Sequence, residues 1–156
     1  DMEALQYGKL LLNLVNPINA LSGLPLRAML SDRAWRRIYA AALTEALAAY
    51  DTAGIAFAKA GPVPPRWAPA LLGLPDAVFV PTLLRLQRID ATTMTSMATD
   101  LAQRRPTEID ALNGEIVRLA PDAAPINGGL VRLIREAEGG GRANWMAADL
   151  AGALGL

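Results

Sequence analysis

The stretch EALQYGKLLLNLVNPINALS, residues 3–22, decides the fold class. Its large apolar side chains recur at the spacing of one helical face, namely Leu5, Leu11, Leu14, Val15, Ile18 and Leu21. Gly23 and Pro25 follow, which is the punctuation expected just after a helix C-terminus. The pattern therefore predicts a helix over residues 3–22 that is apolar around most of its circumference, as buried helices are.

A narrow polar stripe interrupts this apolar surface. At about 100° per residue, Lys9, Asn13 and Asn16 fall within about 60° of one another, and Gln6 lies at the edge of the same arc. Buried amide and ammonium groups are costly unless something pairs with them. The solvent-facing side of an amphipathic helix is the simpler interpretation. The lack of other charged residues on the stripe, and the use of two asparagines, which are poor helix formers, favour a functional site.

Caps and breaks predict the next elements. Ser31 and Asp32 signal the start of a long helix over about 33–60, which Gly61 and Pro62 end. The following prolines, at positions 62, 64, 65, 69, 75 and 81, predict an irregular crossover that contains only short helical pieces.

The second half of the chain is also helical in pattern. Helices are predicted over 78–89 and 92–103, and a third over 107–120 with Thr107 and Asp110 as its capping box. Asn127 is predicted to cap a helix that ends near Gly139, and a short helix is expected in the tail, 142–156. No strand-like alternation or internal repeat is present. The sequence predicts an all-α, multi-helical bundle, with one domain over 1–138 and a glycine-rich linker plus short helix over 139–156.

Composition bounds the function. The chain has 156 residues, 53% of them hydrophobic and 19% charged, which corresponds to one ordered domain. Fifteen basic residues balance fifteen acidic ones, so neither a nucleic acid nor an anionic membrane is an expected partner. The pairs Arg36-Arg37 and Arg104-Arg105 lack the interleaved aromatic residues of a nucleic-acid surface. No apolar run is long enough to span a bilayer and no secretory signal is visible, so a cytoplasmic location is expected.

The absence of two residue types narrows the chemistry further. Without cysteine or histidine the chain has no disulfide, thiolate nucleophile, Ser-His triad or histidine metal site, and no metal is expected. Only two lysines occur, Lys9 and Lys59, so acid–base chemistry falls to them or to Asp, Glu and Tyr. No glycine-rich phosphate-binding motif is present, and Gly139–Gly141 follows a helical segment. The chain starts inside a helical pattern, which suggests one domain of a longer protein.

A second chemical stretch lies at residues 96–110. Glu108 is predicted at a helix N-terminus, where it either favours the helix dipole or faces a lysine from elsewhere. A carboxylate beside a partly buried lysine would keep that lysine protonated and able to act as an acid. The functional interpretation of this stretch therefore places Glu108 opposite a lysine from another part of the chain.

These motifs together resemble a known family. The sequence is similar to the C-terminal domain of ketopantoate reductase (2-dehydropantoate 2-reductase) over nearly all of residues 5–137. The resemblance is carried, in chain order, by Lys9-(x)3-Asn13-(x)2-Asn16-Pro17, Glu45, Ser96-Met97-(x)2-Asp100, Arg105-x-Thr107-Glu108-Ile109-Asp110, Asn113–Val117 and Pro125–Asn127. The Asn13–Asn16 spacing is one residue shorter than in the family pattern.

The resemblance implies a fold and a role for each matching residue. It implies a helical substrate domain of the 6-phosphogluconate dehydrogenase type that follows an N-terminal Rossmann domain holding NADPH. Lys9 matches the catalytic lysine that protonates the ketone oxygen, and Glu108 matches the acidic residue that orients substrate and lysine. Asn13, Asn16 and Ser96 match substrate-binding residues. The resemblance therefore predicts that Lys9 and Glu108 approach within a few ångströms, with Asn13 and Ser96 lining the same cleft. The reaction implied is reduction of 2-dehydropantoate to pantoate, on the route to pantothenate and coenzyme A.

The same resemblance implies a dependence on a second domain. Because NADPH belongs to the Rossmann domain, this chain alone is expected to be inactive and to bind no cofactor tightly. A family paralogue that reduces another 2-oxo acid is an alternative. Another alternative, from a different class, is a stand-alone helical interaction or homodimerisation module whose interface contains Lys9.

Overall fold

Helices make up all of the regular structure in the computed structural model, which describes all 156 residues. The chain contains no strand, and hence no Rossmann sheet, so the predicted all-α class is confirmed. Eleven α-helical segments occur in order: α1 Met2–Asn13, α2 Asn16–Ser22, α3 Leu26–Leu30, α4 Arg33–Ala53, α5 Ala68–Leu72, α6 Asp76–Phe79, α7 Arg85–Gln87, α8 Ser96–Ala102, α9 Asn113–Leu119, α10 Pro125–Glu138 and α11 Ala147–Ala153. Each of them is too short or too polar to be a membrane span.

The predicted first helix is divided into α1 and α2. Pro17 has no amide hydrogen to donate to the carbonyl one turn earlier, so the regular ladder breaks over residues 14–15. The buried Tyr39 hydroxyl lies 3.1 Å from the Leu11 carbonyl oxygen and 3.4 Å from that of Leu12, and donates to them at this break. Burial raises the pKa of Tyr39 above its ordinary value, so the hydroxyl keeps its proton.

The long helix α4 is the centre of the bundle and packs against α2, α3, α5, α9, α10 and α11. Asp32 caps it as predicted, since its carboxylate accepts from the Ala34 amide at 2.8 Å. Its predicted end at residue 60 is wrong. Gly54 adopts a left-handed φ of 68° and ends the helix there, because glycine takes that conformation without steric cost.

Residues 55–60, predicted as helix, run instead beside α1. The Ala58 amide donates to the Ala4 carbonyl at 2.8 Å. A Cβ atom on Gly8 would overlap the Ala58 carbonyl oxygen, so only glycine permits this close approach. The position before Lys9 therefore fixes how α1 packs against the returning chain.

The proline-rich crossover contains only short helical pieces, as predicted: a 3₁₀ turn at Pro65–Trp67, then α5 and α6. The predicted helix over 78–89 is shifted. A continuous helical run extends from α6 to α7 over 76–87, and it includes a π-helical turn at Val80–Leu84 that contains Pro81.

Arg36 of α4 connects this region to the rest of the bundle by hydrogen bonds. Its guanidinium is fully buried and donates to the carbonyl oxygens of Leu72, Leu30 and Leu74 at 2.9, 2.9 and 2.6 Å. Arg36 therefore cannot form a nucleic-acid surface.

The predicted capping box at Thr107 does not form as expected. The Thr107 hydroxyl oxygen accepts from the Ile109 amide at 3.4 Å, but its proton goes to Glu138 at 3.0 Å. Asp110 pairs with Arg135 instead of returning to the Thr107 amide. A 3₁₀ turn at Ile109–Ala111 therefore precedes α9, and the predicted helix over 107–120 is divided in two.

Helix α10 is capped by a residue far away in sequence, and not by Asn127. The Glu45 carboxylate of α4 accepts from the amides of Ile126 and Asn127 at 2.8 and 2.9 Å, and from the Asn127 side chain at 2.9 Å. Asn127 lies inside the first turn, where its amide oxygen accepts from the Asn113 side chain at 3.0 Å. This buried network joins α4, α9 and α10.

The tail forms the short helix that the sequence predicts, and it packs into the main core. The Trp145 amide donates to the Leu21 carbonyl at 2.8 Å. Trp145, Leu150 and Leu154 are buried among the apolar residues of the helices before it. Residues 145–154 therefore share one core with the rest of the chain.

Candidate active site

Lys9 and Asn13 lie on the solvent-facing side of α1, one turn apart, and both side chains are exposed. Seven ion pairs occur in the structure, and Lys9 takes part in none of them. The predicted polar stripe is therefore a surface feature along α1, and only Asn16 of its three members is buried. An ammonium that no carboxylate engages remains free to donate to a bound anion or oxygen atom.

Asn16 is the first residue of α2 and is 8% exposed. The only fully enclosed side-chain polar atoms that lack a partner are Arg33 Nε and Asn113 Oδ1. The Asn16 side-chain amide forms no hydrogen bond within the chain, and its polar atoms are accessible to solvent. This combination, a packed side chain with an open amide, suits recognition of a small polar molecule.

Ser96 is the first residue of α8, and its side chain is exposed. The neighbouring residue Thr95 is the N-cap, and its hydroxyl oxygen accepts from the Ala98 amide at 3.3 Å. The Ser96 hydroxyl itself has no partner in the chain. Helix α8 packs closely against α2, so the element that begins with Ser96 adjoins the element that begins with Asn16.

Glu108 is exposed and sits just before the 3₁₀ turn that precedes α9. Its backbone carbonyl accepts from the amides of Ala111 and Leu112 at 3.0 and 3.2 Å, which orders the turn. The carboxylate belongs to none of the seven ion pairs. The predicted close contact with Lys9 is therefore not made as an ion pair in this structure.

The loop between Ser96 and Glu108 is closed by its own ion pair. Arg105 Nε and Nη2 lie 3.1 and 2.9 Å from one oxygen of Asp100, and the Arg105 amide donates to the Asp100 carbonyl at 2.8 Å. Arg104, between them, has a left-handed φ of 56°. The Ser-Met-x-x-Asp and Arg-x-Thr-Glu motifs thus form one folded unit that presents Ser96 and Glu108 at its two ends.

The sequence analysis did not single out Asn19, which is fully buried in α2. Its amide oxygen accepts from the Thr95 amide and the Thr95 hydroxyl, each at 3.0 Å, and its amide nitrogen donates to the Leu24 carbonyl at 2.8 Å. The available signal was the repeat of asparagine at positions 13, 16 and 19. By helical periodicity Asn19 lies about 60° beyond Asn16 and about 80° from Lys9, just outside the arc of the predicted stripe.

A cluster of polar side chains joins the start of α1 to α9. The Tyr7 hydroxyl lies 3.4 Å from Glu115, which also forms an ion pair with Arg118. The hydrogen bond from Arg118 is the largest cause that lowers the pKa of Glu115 below its ordinary value, against a smaller opposing effect of burial. Burial, and then the nearby Tyr7 and Glu115, raise the pKa of Tyr50, whose hydroxyl donates to the Tyr7 carbonyl.

An apolar cavity of about 230 Å³ lies on a different side of α1, between α4 and the proline-rich crossover. Gly8, Leu11 and Leu12 contribute its wall from α1. These residues are centred about 130° around the helix from Lys9 and Asn13. The cavity and the polar surface are therefore separate features of one helix.

The chain is thus an all-helical domain whose sequence-predicted site residues lie on α1, at the start of α2 and at the two ends of residues 96–108. Residues 1–138 match the family model described as "Ketopantoate reductase PanE/ApbA C terminal". The chain belongs to this family, and the resemblance inferred from its motifs is confirmed. No curated protein matches the chain.

Proposed function

We propose that this chain is the catalytic and substrate-binding domain of an NADPH-dependent reductase that converts a 2-oxo acid to a 2-hydroxy acid. Ketopantoate, reduced to pantoate for pantothenate and coenzyme A biosynthesis, is the substrate that family membership favours. A paralogue acting on another 2-oxo acid would use the same residues. A cytoplasmic location fits such a pathway and is part of the proposal.

Lys9 would act as the general acid. Reduction of a ketone leaves an alkoxide, and a positioned ammonium both stabilises that charge and supplies the proton. The observation that carries the proposal is that Lys9 is exposed and free of ion pairs on α1, with Asn13 one turn further along the same helix and Asn16 at the start of α2. Asn13, Asn16 and Ser96 would bind the substrate by hydrogen bonds, and Glu108 would orient the substrate and the lysine.

The dinucleotide would be held outside these residues. The chain has no strand and no glycine-rich turn between a strand and a helix, which supports a dinucleotide site on another domain. NADPH bound to another domain would supply the hydride. The chain alone is therefore expected to bind substrate weakly and to turn over nothing.

The surface around Lys9 supports a second folded unit there. Met2 and Leu5 lie within about 60° of helix circumference with Lys9, and they are 73 and 37% exposed. Apolar side chains beside a catalytic group are expected where another domain closes over the site and excludes water. A second copy of the chain would cover the same face in the dimerisation alternative.

The test is NADPH oxidation with ketopantoate by the full-length protein, followed at the nicotinamide absorbance. Lys9→Ala should lower kcat by about 100-fold or more, the usual contribution of a general acid. Lys59→Ala is the matched control, because Lys59 is the other lysine and is exposed without an ion pair. Turnover by Lys9→Ala within a few-fold of the parent would remove Lys9 from the mechanism.

A panel of 2-oxo acids separates the substrate alternatives. Ketopantoate should give the highest kcat/KM if the family's usual substrate applies. A different 2-oxo acid with a higher value, and the same loss in Lys9→Ala, would assign a paralogue. A stable dimer with no turnover on any of these substrates would favour the interaction module.

A further inference from the structure

Asn19 is a buried side chain whose hydrogen bonds link two elements of the proposed site. It is fully enclosed in α2, and it uses both acceptor positions of its amide oxygen and one of its two donor hydrogens. Both acceptor positions are taken by Thr95, the residue before Ser96. A buried amide with this many partners holds its orientation firmly, because any rotation would leave polar groups unpaired.

Thr95 passes this constraint to the start of α8. Its hydroxyl donates its proton to Asn19, and the same oxygen accepts from the Ala98 amide at 3.3 Å. Its carbonyl accepts from the Thr99 amide at 3.1 Å and from the Thr99 hydroxyl at 3.3 Å. Ser96 lies inside this bonded turn, so the position of its backbone, from which its hydroxyl projects, follows from the position of Thr95.

The two bonds between Asn19 and Thr95 are the only side-chain hydrogen bonds between α2 and residues 95–102. Apolar packing supplies the rest of the contact between the two helices, since Met97 and Ala98 on α8 and Ile18 on α2 are all buried in the common core. Apolar contacts hold the two helices together but allow one to rotate or slide against the other, whereas directional hydrogen bonds fix both the distance and the orientation. The register of α8 on α2 therefore depends on Asn19.

We infer that Asn19 is a positioning residue for substrate binding, which holds Ser96 in register with Asn13 and Asn16. The inference rests on the proposed function, since it assumes that Ser96 contacts the substrate. Asn19 itself is enclosed and touches no substrate. It acts through Thr95 on the position of the Ser96 hydroxyl, so loss of Asn19 should change KM more than kcat.

The test is a double-mutant cycle in the full-length protein with NADPH and ketopantoate. Ser96→Ala should raise KM by about three- to tenfold, the value of one neutral hydrogen bond. Asn19→Ala should raise KM by a similar factor and change kcat less. The double variant should be no worse than the single ones, because Asn19 acts through Ser96.

Two further variants separate positioning from loss of stability. Asn127→Ala removes an equally buried asparagine with several side-chain hydrogen bonds, so it should lower the free energy of unfolding while leaving KM within about twofold. Thr95→Val leaves α2 unchanged and removes the hydroxyl bond to Asn19 together with the cap on Ala98, but it keeps the bond from the Thr95 amide. It should raise KM in the same direction as Asn19→Ala by a smaller factor, and it serves as the test if Asn19→Ala does not fold.

The outcomes distinguish failure of the positioning role of Asn19 from failure of the proposed function. If Ser96→Ala raises KM while Asn19→Ala and Thr95→Val leave it unchanged, or if the effects of Asn19→Ala and Ser96→Ala multiply, the positioning role is overturned and the proposed function stands. If Lys9→Ala and Ser96→Ala both retain the parent kinetics, the proposed function itself is overturned, and the positioning role with it.

Discussion

Replacing Arg36 with methionine should lower the free energy of unfolding by about 4–6 kcal/mol, at or slightly above the range of about 3–5 kcal/mol seen when one partner of a buried charged network is removed. Methionine keeps most of the aliphatic stem, so the change removes the guanidinium with little loss of packing. Three carbonyl groups lose their donor, those of Leu72, Leu30 and Leu74. The contact between the guanidinium and the Phe79 ring, 4.1 Å from its centroid, is lost as well.

The magnitude follows from how far water can reach each group. The bond to the Leu72 carbonyl is buried, so leaving that oxygen without a partner costs about 1–3 kcal/mol. The bonds to Leu30 and Leu74 are partly buried, so water can replace part of each, and about 1 kcal/mol apiece is expected. The cation–π contact adds about 1 kcal/mol. Asp76, 2.8 Å from Arg36 but half exposed, rehydrates and adds little.

The measurement is equilibrium unfolding in urea, followed by far-UV circular dichroism. Arg37→Met is the matched control, because Arg37 adjoins Arg36 on the same helix, is exposed and makes no hydrogen bond. Its effect should stay within about 0.5 kcal/mol. Equal stability of the Arg36→Met and Arg37→Met variants would show that the carbonyl groups find other donors, and would refute the assignment of Arg36 as the donor that holds the crossover.

Three other changes test the packing and the electrostatics. Gly8→Ala should lower the free energy of unfolding by about 1–3 kcal/mol, because the added methyl group forces residues 55–60 away from α1. Gly152→Ala, in α11 with open space around it, should instead stabilise the protein by up to about 1 kcal/mol. Similar thermal midpoints for the two variants would contradict this expectation. The pKa of Glu115 is lowered in the folded state, so its contribution is complete above its ordinary value near 4.5 and is lost as the pH falls through the lower folded value. Glu115→Gln should therefore flatten the acid side of a stability–pH curve, and an unchanged acid limb would argue against the ion pair. Deleting residues 139–156 removes three buried core side chains and should cost at least about 4 kcal/mol; a deletion variant with the parent's urea midpoint would instead support a separable tail.

The sequence predicts the helices well but their limits poorly. Apolar periodicity is a local property, so it finds α1, α4 and α10 without knowledge of the fold. The break at residues 14–15 was available from Pro17, since proline cannot donate inside a helix. The end of α4 was missed because Gly61 and Pro62 are a stronger local signal than Gly54, and only the packing of residues 55–60 against α1 decides between them.

The polar surface was partly predictable for the same reason. Lys9, Asn13 and Asn16 are separated by one or two helical turns, so their common side of the helix can be read from spacing alone. Asn19 and Glu45 were not recognised in their structural roles, because their partners are distant in sequence. Asn19 bonds to Thr95, 76 positions away, and Glu45 caps a helix 81 positions away. No local pattern contains that information.

These long links have a consequence for how the chain folds. Helical proteins usually fold fast, because most of their contacts are close in sequence. Here the N-terminal helices are bonded to partners far along the chain, such as Tyr7 to Glu115, 108 positions away, and Leu21 to Trp145, further still. During synthesis, α4 would have its carboxylate at Glu45 ready long before Ile126 and Asn127 appear. The first half must therefore remain incompletely packed until residue 127 has left the ribosome, and folding should be slower than in a simple bundle of similar size.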